Sequence, residues 1–235
     1  MTPEREGQLV GLAERLGHRF TDLALLDRAL THASQANEAH TPVRRDNEPL
    51  EFLGDAVLGL AVTDLLHRDD PDGSEGRKSR RRAALVKAAS LAHRAKALGL
   101  PELLRLGRGE EKTGGRSKAA LWADAYEAVI AALYLDGGFE AVRRFVRGEF
   151  EGDLAAPDSA SEDPKSLLQE LLQGQGRPLP HYSVLSETGP SHERQFRVEC
   201  RLDDGSAATG EGSSKKAAQQ AAARATLARL GAATS

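Results

Sequence analysis

The chain has 235 residues, enough for one large or two small domains. Hydrophobic residues make up 40% and aromatics only 4%, so a core must come from Leu, Ala and Val, which favours helices. A net charge of −3 excludes bulk positive charge as a reason to bind a polyanion, so any such partner must be argued from where the charges sit. The single cysteine, Cys200, excludes an internal disulfide and fits a reducing cytoplasm. The stretch MTPEREGQLVGLAERLG has charges throughout and no apolar signal core, and no apolar run approaches the roughly 18 residues of a membrane span. A cytoplasmic protein with no membrane partner is expected.

Residues 5 to 150 read as a series of helices. REGQLVGLAERLG repeats apolar residues at Leu9, Leu12 and Leu16, and DLALLDRALTHAS does so at Leu23, Leu26 and Leu30. The polar loop QANEAHTPVRRDN precedes a helix opening at NEPLEFLGDAVLGLAV, where Pro49 suits the first turn because its missing N–H costs nothing there. RKSRRRAALVKAASLAHRAKALGL reads as one basic-to-amphipathic helix ending near Gly99, and GRGEEKTGGRSK as a glycine-rich charged loop. AALWADAYEAVIAALYLDGG is a long helix closed by Gly137–Gly138, and GFEAVRRFVRGEFEG is one more. Composition changes at EGDLAAPDSASEDP, which is acidic, bears Ala, Ser and Pro, and lacks apolar periodicity. It reads as a linker, set at residues 153–163 between domains spanning 1–152 and 164–235. After it, PKSLLQELLQGQG is an amphipathic helix. In RQFRVECRL, Phe196, Val198, Cys200 and Leu202 alternate with Arg197, Glu199 and Arg201, the pattern of a strand with one buried face. HYSVLSE and GSAATGEG flank it as weaker strands, and SSKKAAQQAAARATLARL is an Ala-rich helix. The fold class is therefore multi-domain: an all-α domain followed by a small α+β domain of order α-β-β-β-α.

The helix from Leu50 to Val62 is apolar or glycine except at Glu51 and Asp55, which stack one turn apart, with Glu48 on the same side. Phe52, Leu53, Ala56, Val57, Leu60 and Ala61 make it apolar almost all round, as in a buried helix. Crowded carboxylates are costly unless a cation or a basic side chain meets them. In the later helix the apolar stripe is Trp122, Tyr126, Val129 and Leu133, with Asp124 and Glu127 on the other side among alanines. Alone, that pair reads as an ordinary exposed face. Taken with Glu51 and Asp55, it suggests two helices crossing with their small or acidic faces together. Four or five carboxylates would then converge, an all-oxygen set of the kind hard divalent cations prefer and that serves phosphodiester hydrolysis.

Two basic features remain. In SSKKAAQQAAA, Ser213 or Ser214 is the helix cap, and Lys215 and Lys216 fall in the first turn. Cations there oppose the helix dipole, by about 0.3–1 kcal/mol each, unless an anion binds the same helix end. Arg77 to Arg82, RKSRRR, places five bases in six residues, and two such runs in a chain of net negative charge favour a polyanion partner.

Together these motifs resemble the ribonuclease III family. NEPLEFLGDAVL resembles its signature, LGHRFTDLALLDRALTHAS its N-terminal helices with a Leu-Thr-His-x-Ser element, and WADAYEAVIAALYLDGG its second acidic helix. Residues 164 to 230, with GSSKKAAQQAAA, resemble a double-stranded RNA-binding domain. The resemblance implies that Glu51, Asp55, Asp124 and Glu127 bind Mg²⁺, with Mn²⁺ able to substitute, and that Asp55 and Glu127 matter most for cleavage. It gives Glu48 and Glu75 supporting roles. It implies RNA contacts at Gln169 and Gln173, at His192, and at Lys215 and Lys216, reading shape, 2′-OH and phosphate rather than base edges. Phe52 matches an aromatic of the family's subunit interface, which implies a homodimer whose two active centres cut both strands. Where the family's signature usually has a basic residue this chain has Pro49, which removes a positive neighbour of the acids but no implied ligand.

The leading reading is thus a Mg²⁺-dependent endoribonuclease of double-stranded RNA that leaves 5′-phosphate and 3′-hydroxyl ends and acts in rRNA and mRNA processing. A non-catalytic double-stranded RNA-binding protein is the alternative, and a structural or ribosome-associated helical dimer a third. A pure binder has no use for carboxylates near phosphate.

Overall fold

The structure is a computed structural model describing residues 1–38, 45–155, 164–190 and 193–232. It divides into two compact units, Met1–Pro157 and Asp158–Ser235.

The first unit is helical: α1 (Pro3–Arg15), α2 (Leu23–Ala29), α3 (Ala33–Glu38), α4 (Glu48–Asp69), α5 (Glu75–Val86), α6 (Ala88–Ala97), α7 (Leu100–Leu103), α8 (Arg108–Lys112) and α9 (Ala119–Ala155). A short 3₁₀ turn, Gly115–Ser117, precedes α9. Thr2 starts α1 by accepting the Arg5 N–H, and Asp22 caps α2 through the Ala24 N–H. α9 is the central rod. Between Ala123 and Leu133 every residue is buried except Asp124 and Glu127, and α2, α4, α6 and α7 all pack against this helix. The core is chiefly Leu, Ala and Val, as the composition requires, and each fully buried Leu contributes about 1.5–3 kcal/mol.

Several local expectations change. α2 stops at Ala29, because the next residues pair with a distant segment: Arg105 N–H donates to the Leu30 carbonyl, and His32 N–H to the Arg105 carbonyl. The stretch read as one helix after Arg77 is two, broken at an extended Lys87. The break lets Leu85 and Val86 on one side, and Leu91 and Ala95 on the other, reach the same core. The charged loop contains α8 and the 3₁₀ turn, held by ion pairs Lys118–Glu110 and Arg116–Glu111 rather than by apolar periodicity. Gly138, with φ 69° and ψ 179°, breaks α9 where the glycine pair suggested a stop. Residues 151–155, assigned from composition to the linker region, continue α9, and Arg94 pairs with Asp153. The rest of the proposed linker, 156–163, lies outside the described residues.

The second unit follows the expected order: α10 (Pro164–Gly174), β1 (His181–Thr188), β2 (Gln195–Arg201), β3 (Ala207–Gly212) and α11 (Lys215–Ala232). The sheet is antiparallel, β1-β2-β3, with Val184 opposite Val198 and Val198 opposite Gly210. Phe196, Val198 and Cys200 are buried on alternate positions of β2. α11 presents Ala218, Ala222 and Ala223 to this sheet. Small residues suit that contact, since a Cβ on Gly210 would lie 2.1 Å from the Ala222 nitrogen.

Candidate functional site

The site is made where α4 crosses α9. The start of α4 is anchored by the buried Asn47, whose N–H donates to the Thr31 carbonyl and whose carbonyl accepts the Glu51 N–H. Glu48 and Glu51 fall in the first turn, where the helix dipole favours negative charge. One turn on, Gly54 touches α9: a Cβ there would lie 1.8 Å from the Glu127 carbonyl oxygen. The missing side chain lets the two backbones meet, and this brings the acids together. One carboxylate oxygen from each of Glu51, Asp124 and Glu127 lies within 4.8 Å of the others. All three side chains belong to half-buried residues, while Glu48 and Asp55 are exposed beside them.

The electrostatics are those of a cluster short of positive charge. Burial, then the charges of Asp124, Glu48 and Asp55, push Glu51 up from the usual carboxylate range. Burial also raises Asp124, against the opposing effect of His32. Glu127 is pushed up to about 7 by burial and by Asp55, Glu51 and Asp124. Among the described residues, Glu51, Asp55, Asp124 and Glu127 form no ion pair. An all-oxygen set with unrelieved repulsion fits a hard divalent cation, and the cluster can hold a metal ion.

The other residues singled out from sequence fall elsewhere. Glu75 opens α5, where its Oε1 accepts the Ser79 hydroxyl at 2.7 Å, and it lines a groove with His67, Lys78 and Arg82. The basic run is largely engaged within its own unit: Arg77 pairs with Asp70, Arg81 with Asp69, Lys78 donates to the Pro71 carbonyl and Arg82 to the Thr63 hydroxyl. α4 is not buried all round. Phe52 is 84% exposed and Leu60 57% exposed, on a face that also shows Pro49, Ala56 and Thr63.

In the second unit, Gln169 is half-buried and Gln173 exposed on α10. His192 lies outside the described residues. Of the two possible caps, Ser214 serves: its Oγ accepts the Ala217 N–H at 3.1 Å and its carbonyl the Ala218 N–H. Lys215 and Lys216 are exposed at the first two positions of α11, and the Lys215 ammonium lies 5.8 Å from the Phe196 ring centre.

Two residues at or near the site, Gly54 and His32, carry little signal of it in the sequence. Gly54 interrupts a good helix pattern, and such a glycine signals close backbone approach. His32 lies inside the Leu-Thr-His-x-Ser element, and it opposes the rise that burial imposes on the Asp124 carboxyl.

Residues 22–154 match a family model described as Ribonuclease-III-like, and residues 164–230 match the double-stranded RNA binding motif. Ribonuclease 3 of Bdellovibrio bacteriovorus is 46% identical over 216 residues, 91% of this chain and 92% of that protein. Ribonuclease 3 of Geobacter sulfurreducens is 46% identical over 222 residues, 94% and 90% respectively. A nuclease-domain structure of ribonuclease III from Campylobacter jejuni is 37% identical with a TM-score of 0.56, covering 63% of this chain and 97% of that one. A second structure of that domain, described for flexibility in the region involved in dimer formation, is 38% identical with a TM-score of 0.54, covering 60% and 97%. Among the described residues no helix is long and apolar enough to cross a membrane.

Proposed function

The chain belongs to the ribonuclease III family, and from that premise we propose how its own residues do the work of an endoribonuclease of double-stranded RNA. The observation that carries the reading is the convergence of Glu51, Asp124 and Glu127 across the α4–α9 crossing. The ion is Mg²⁺, with Mn²⁺ able to substitute, held by Glu51, Asp55, Asp124 and Glu127 directly or through water. Bound there, it supplies the positive charge that lets a phosphodiester accept water and release its 3′-oxygen. The products are then 5′-phosphate and 3′-hydroxyl ends.

Asp55 and Glu127 are the residues on which cleavage depends most. Burial, then the charges of Asp55, Glu51 and Asp124, push Glu127 up to about 7, and a cation held there would keep it ionised. Glu48, exposed beside the cluster, supports it from the first turn of α4. Glu75 acts from the edge, away from the converging oxygens. Residues 1–152 form the nuclease domain and 164–235 the RNA-binding domain. The second domain contacts RNA through Gln169, Gln173, His192, Lys215 and Lys216. The two lysines open α11, at the positive end of its dipole, where a phosphate is favoured. Two copies pair through the exposed Phe52 face, an apolar surface costly to leave in water. The protein works in the cytoplasm on ribosomal precursors and messages.

The test is a double-stranded RNA incubated with the purified chain and Mg²⁺ or a chelator, followed by end-group analysis. Cleavage with Mg²⁺ alone, leaving 5′-phosphates, is expected. Tight binding without cleavage in Mg²⁺ would return the chain to a binding protein. Replacing both Lys215 and Lys216 by Ala should weaken binding across duplex sequences and reduce the salt slope by about one per lost phosphate contact.

A further inference from the structure

Three arginines of the nuclease unit line one hollow outside the acidic cluster. It holds about 250 Å³, and Arg28, Arg45 and Arg105 surround it together with Asp27, Gln35 and Ala24. The fold fixes where they stand. Arg105 N–H donates to the Leu30 carbonyl at 2.8 Å, and its carbonyl accepts the His32 N–H at 3.0 Å. Arg28 Nε donates to the Asp46 carbonyl at 3.1 Å, and the Asn47 N–H to the Thr31 carbonyl at 2.9 Å. The wall of the hollow is thus tied to the residues that lead into α4, just before Glu48.

The hollow is short of negative charge. Its one lining carboxylate, Asp27, is shared between Arg105 at 2.9 Å and Arg5 at 2.8 Å. Asp46 is buried nearby, and its Oδ1 accepts the Glu48 N–H at 3.3 Å. Arg28 directs its Nε at a carbonyl, which bears no charge. Among the described residues Arg45 makes no hydrogen bond or ion pair. Each guanidinium carries five N–H donors, and its fork matches phosphate oxygens two at a time. Sites that enclose a whole small molecule measure roughly 300–1,000 Å³, so this smaller hollow suits a single group on a longer chain. Duplex RNA offers a phosphate at every nucleotide.

We propose that Arg28, Arg45 and Arg105 form a phosphate pocket of the nuclease unit that holds one backbone phosphate of the duplex RNA, other than the one that is cut. It anchors the strand beside the first turn of α4 and leaves the acids to a different phosphate.

This rests on the reading that the chain binds duplex RNA, and the experiment separates the two. The full chain is titrated against a short duplex RNA over a range of salt concentrations, in chelator so that the RNA stays intact. The parent is compared with Arg45→Gln, Ala24→Glu and, as a control, Arg144→Gln, whose arginine is exposed on α9 outside the hollow. Arg45→Gln removes a charge that holds nothing in the fold, so its melting temperature should stay parental. Ala24 is exposed in the first turn of α2, where an acid is favoured, and a glutamate there gives the arginines an internal partner. Both variants should bind the duplex at least about tenfold more weakly, the loss of a charge-assisted hydrogen bond. Arg45→Gln should also lower the salt slope by about one. Arg144→Gln should match the parent. Duplexes carrying one neutral methylphosphonate at successive positions then locate the contact. One position other than the scissile one should cost the parent about tenfold and cost Arg45→Gln nothing, because the two changes remove the same interaction. Should Arg45→Gln melt earlier, Ala24→Glu decides: weaker binding supports the proposal and parental binding overturns it. Parental affinity in Arg45→Gln, an equal loss in Arg144→Gln, or a methylphosphonate penalty that persists in Arg45→Gln overturns it too. A parent that binds no duplex RNA removes the RNA reading itself, and the pocket's occupant with it.

Discussion

Two carboxylates nine residues apart on α9 have opposite fates. Asp136 meets donors on every side: His18 Nε2 at 2.8 Å, the Thr21 hydroxyl at 2.6 Å, and the Thr21 and Asp22 N–H groups at 3.0 and 2.9 Å. Burial pushes it up, but the donors win and hold it down at about 2. Among the described residues no such donor meets the half-buried Glu127, and three other acids push in the same direction as burial. The first carboxylate ties the start of α2 to α9 and belongs to the fold. The second stores a repulsion that no ion pair among the described residues relieves, and a cation bound there would relieve it.

The largest effect should come from removing the unrelieved charge. Glu127→Gln keeps the shape and lightens the repulsion, so it should melt no earlier than the parent and bind duplex RNA as well. Its single-turnover cleavage should fall by at least about 100-fold, since a ligand matters more than the partners behind it. Near-parental cleavage would make Glu127 an ordinary helix residue. Gly54→Ala comes next. With a Cβ 1.8 Å from the Glu127 carbonyl, the helices must part, at a cost of about 1–3 kcal/mol. Cleavage should fall further than stability does, because the carboxylates separate with the backbones; equal melting temperature and activity would show that the crossing is looser than it looks.

Asp136→Asn tests the other side. It removes charge-assisted hydrogen bonds, each worth about 1.5–3 kcal/mol, and leaves an amide N–H₂ facing donors. The nuclease unit should lose roughly 4–10 °C in melting temperature. Cleavage per folded molecule should stay parental. A variant that melts normally and cleaves poorly would move Asp136 from the fold to the chemistry.

This contrast was only half legible in the sequence. Glu51, Asp55, Asp124 and Glu127 were found because helical spacing puts each pair on one face, and that is local geometry. That the faces meet is tertiary, and its one local trace is Gly54. Asp136 was passed over because its partners lie more than 110 residues away, at His18, Thr21 and Asp22. The second unit was easier, since its strand announces itself by alternation at Phe196, Val198 and Cys200. The break at Lys87 was hidden because nothing in the helix propensity of that stretch opposes continuation; the core on both sides demands it. Phe52 and Leu60 read as buried for a similar reason: a residue type does not say whether its cover comes from the same chain.

The smallest effect, and the one that sets both carboxylates in a single measurement, is the pH dependence of stability without metal. Asp136 is held below its ordinary 3.8, so the unfolded chain binds its proton more readily. Its contribution is complete above about pH 4 and is lost as pH falls toward 2. Glu127 is raised from 4.5 to about 7, so the folded chain binds the proton more readily. Stability should therefore decline as pH rises from about 4.5 through 7, in the opposite direction. Melting temperatures across this range, in chelator, should show the parent losing stability at both ends. Glu127→Gln should flatten the upper limb alone, and Asp136→Asn the lower limb alone. Mg²⁺ should flatten the upper limb of the parent and leave that of Glu127→Gln where it was, because the ion takes the place of the proton the cluster otherwise shares. An upper limb that persists unchanged in Glu127→Gln would place the repulsion on Glu51 or Asp124 instead, and the two-carboxylate contrast along α9 would have to be redrawn around them.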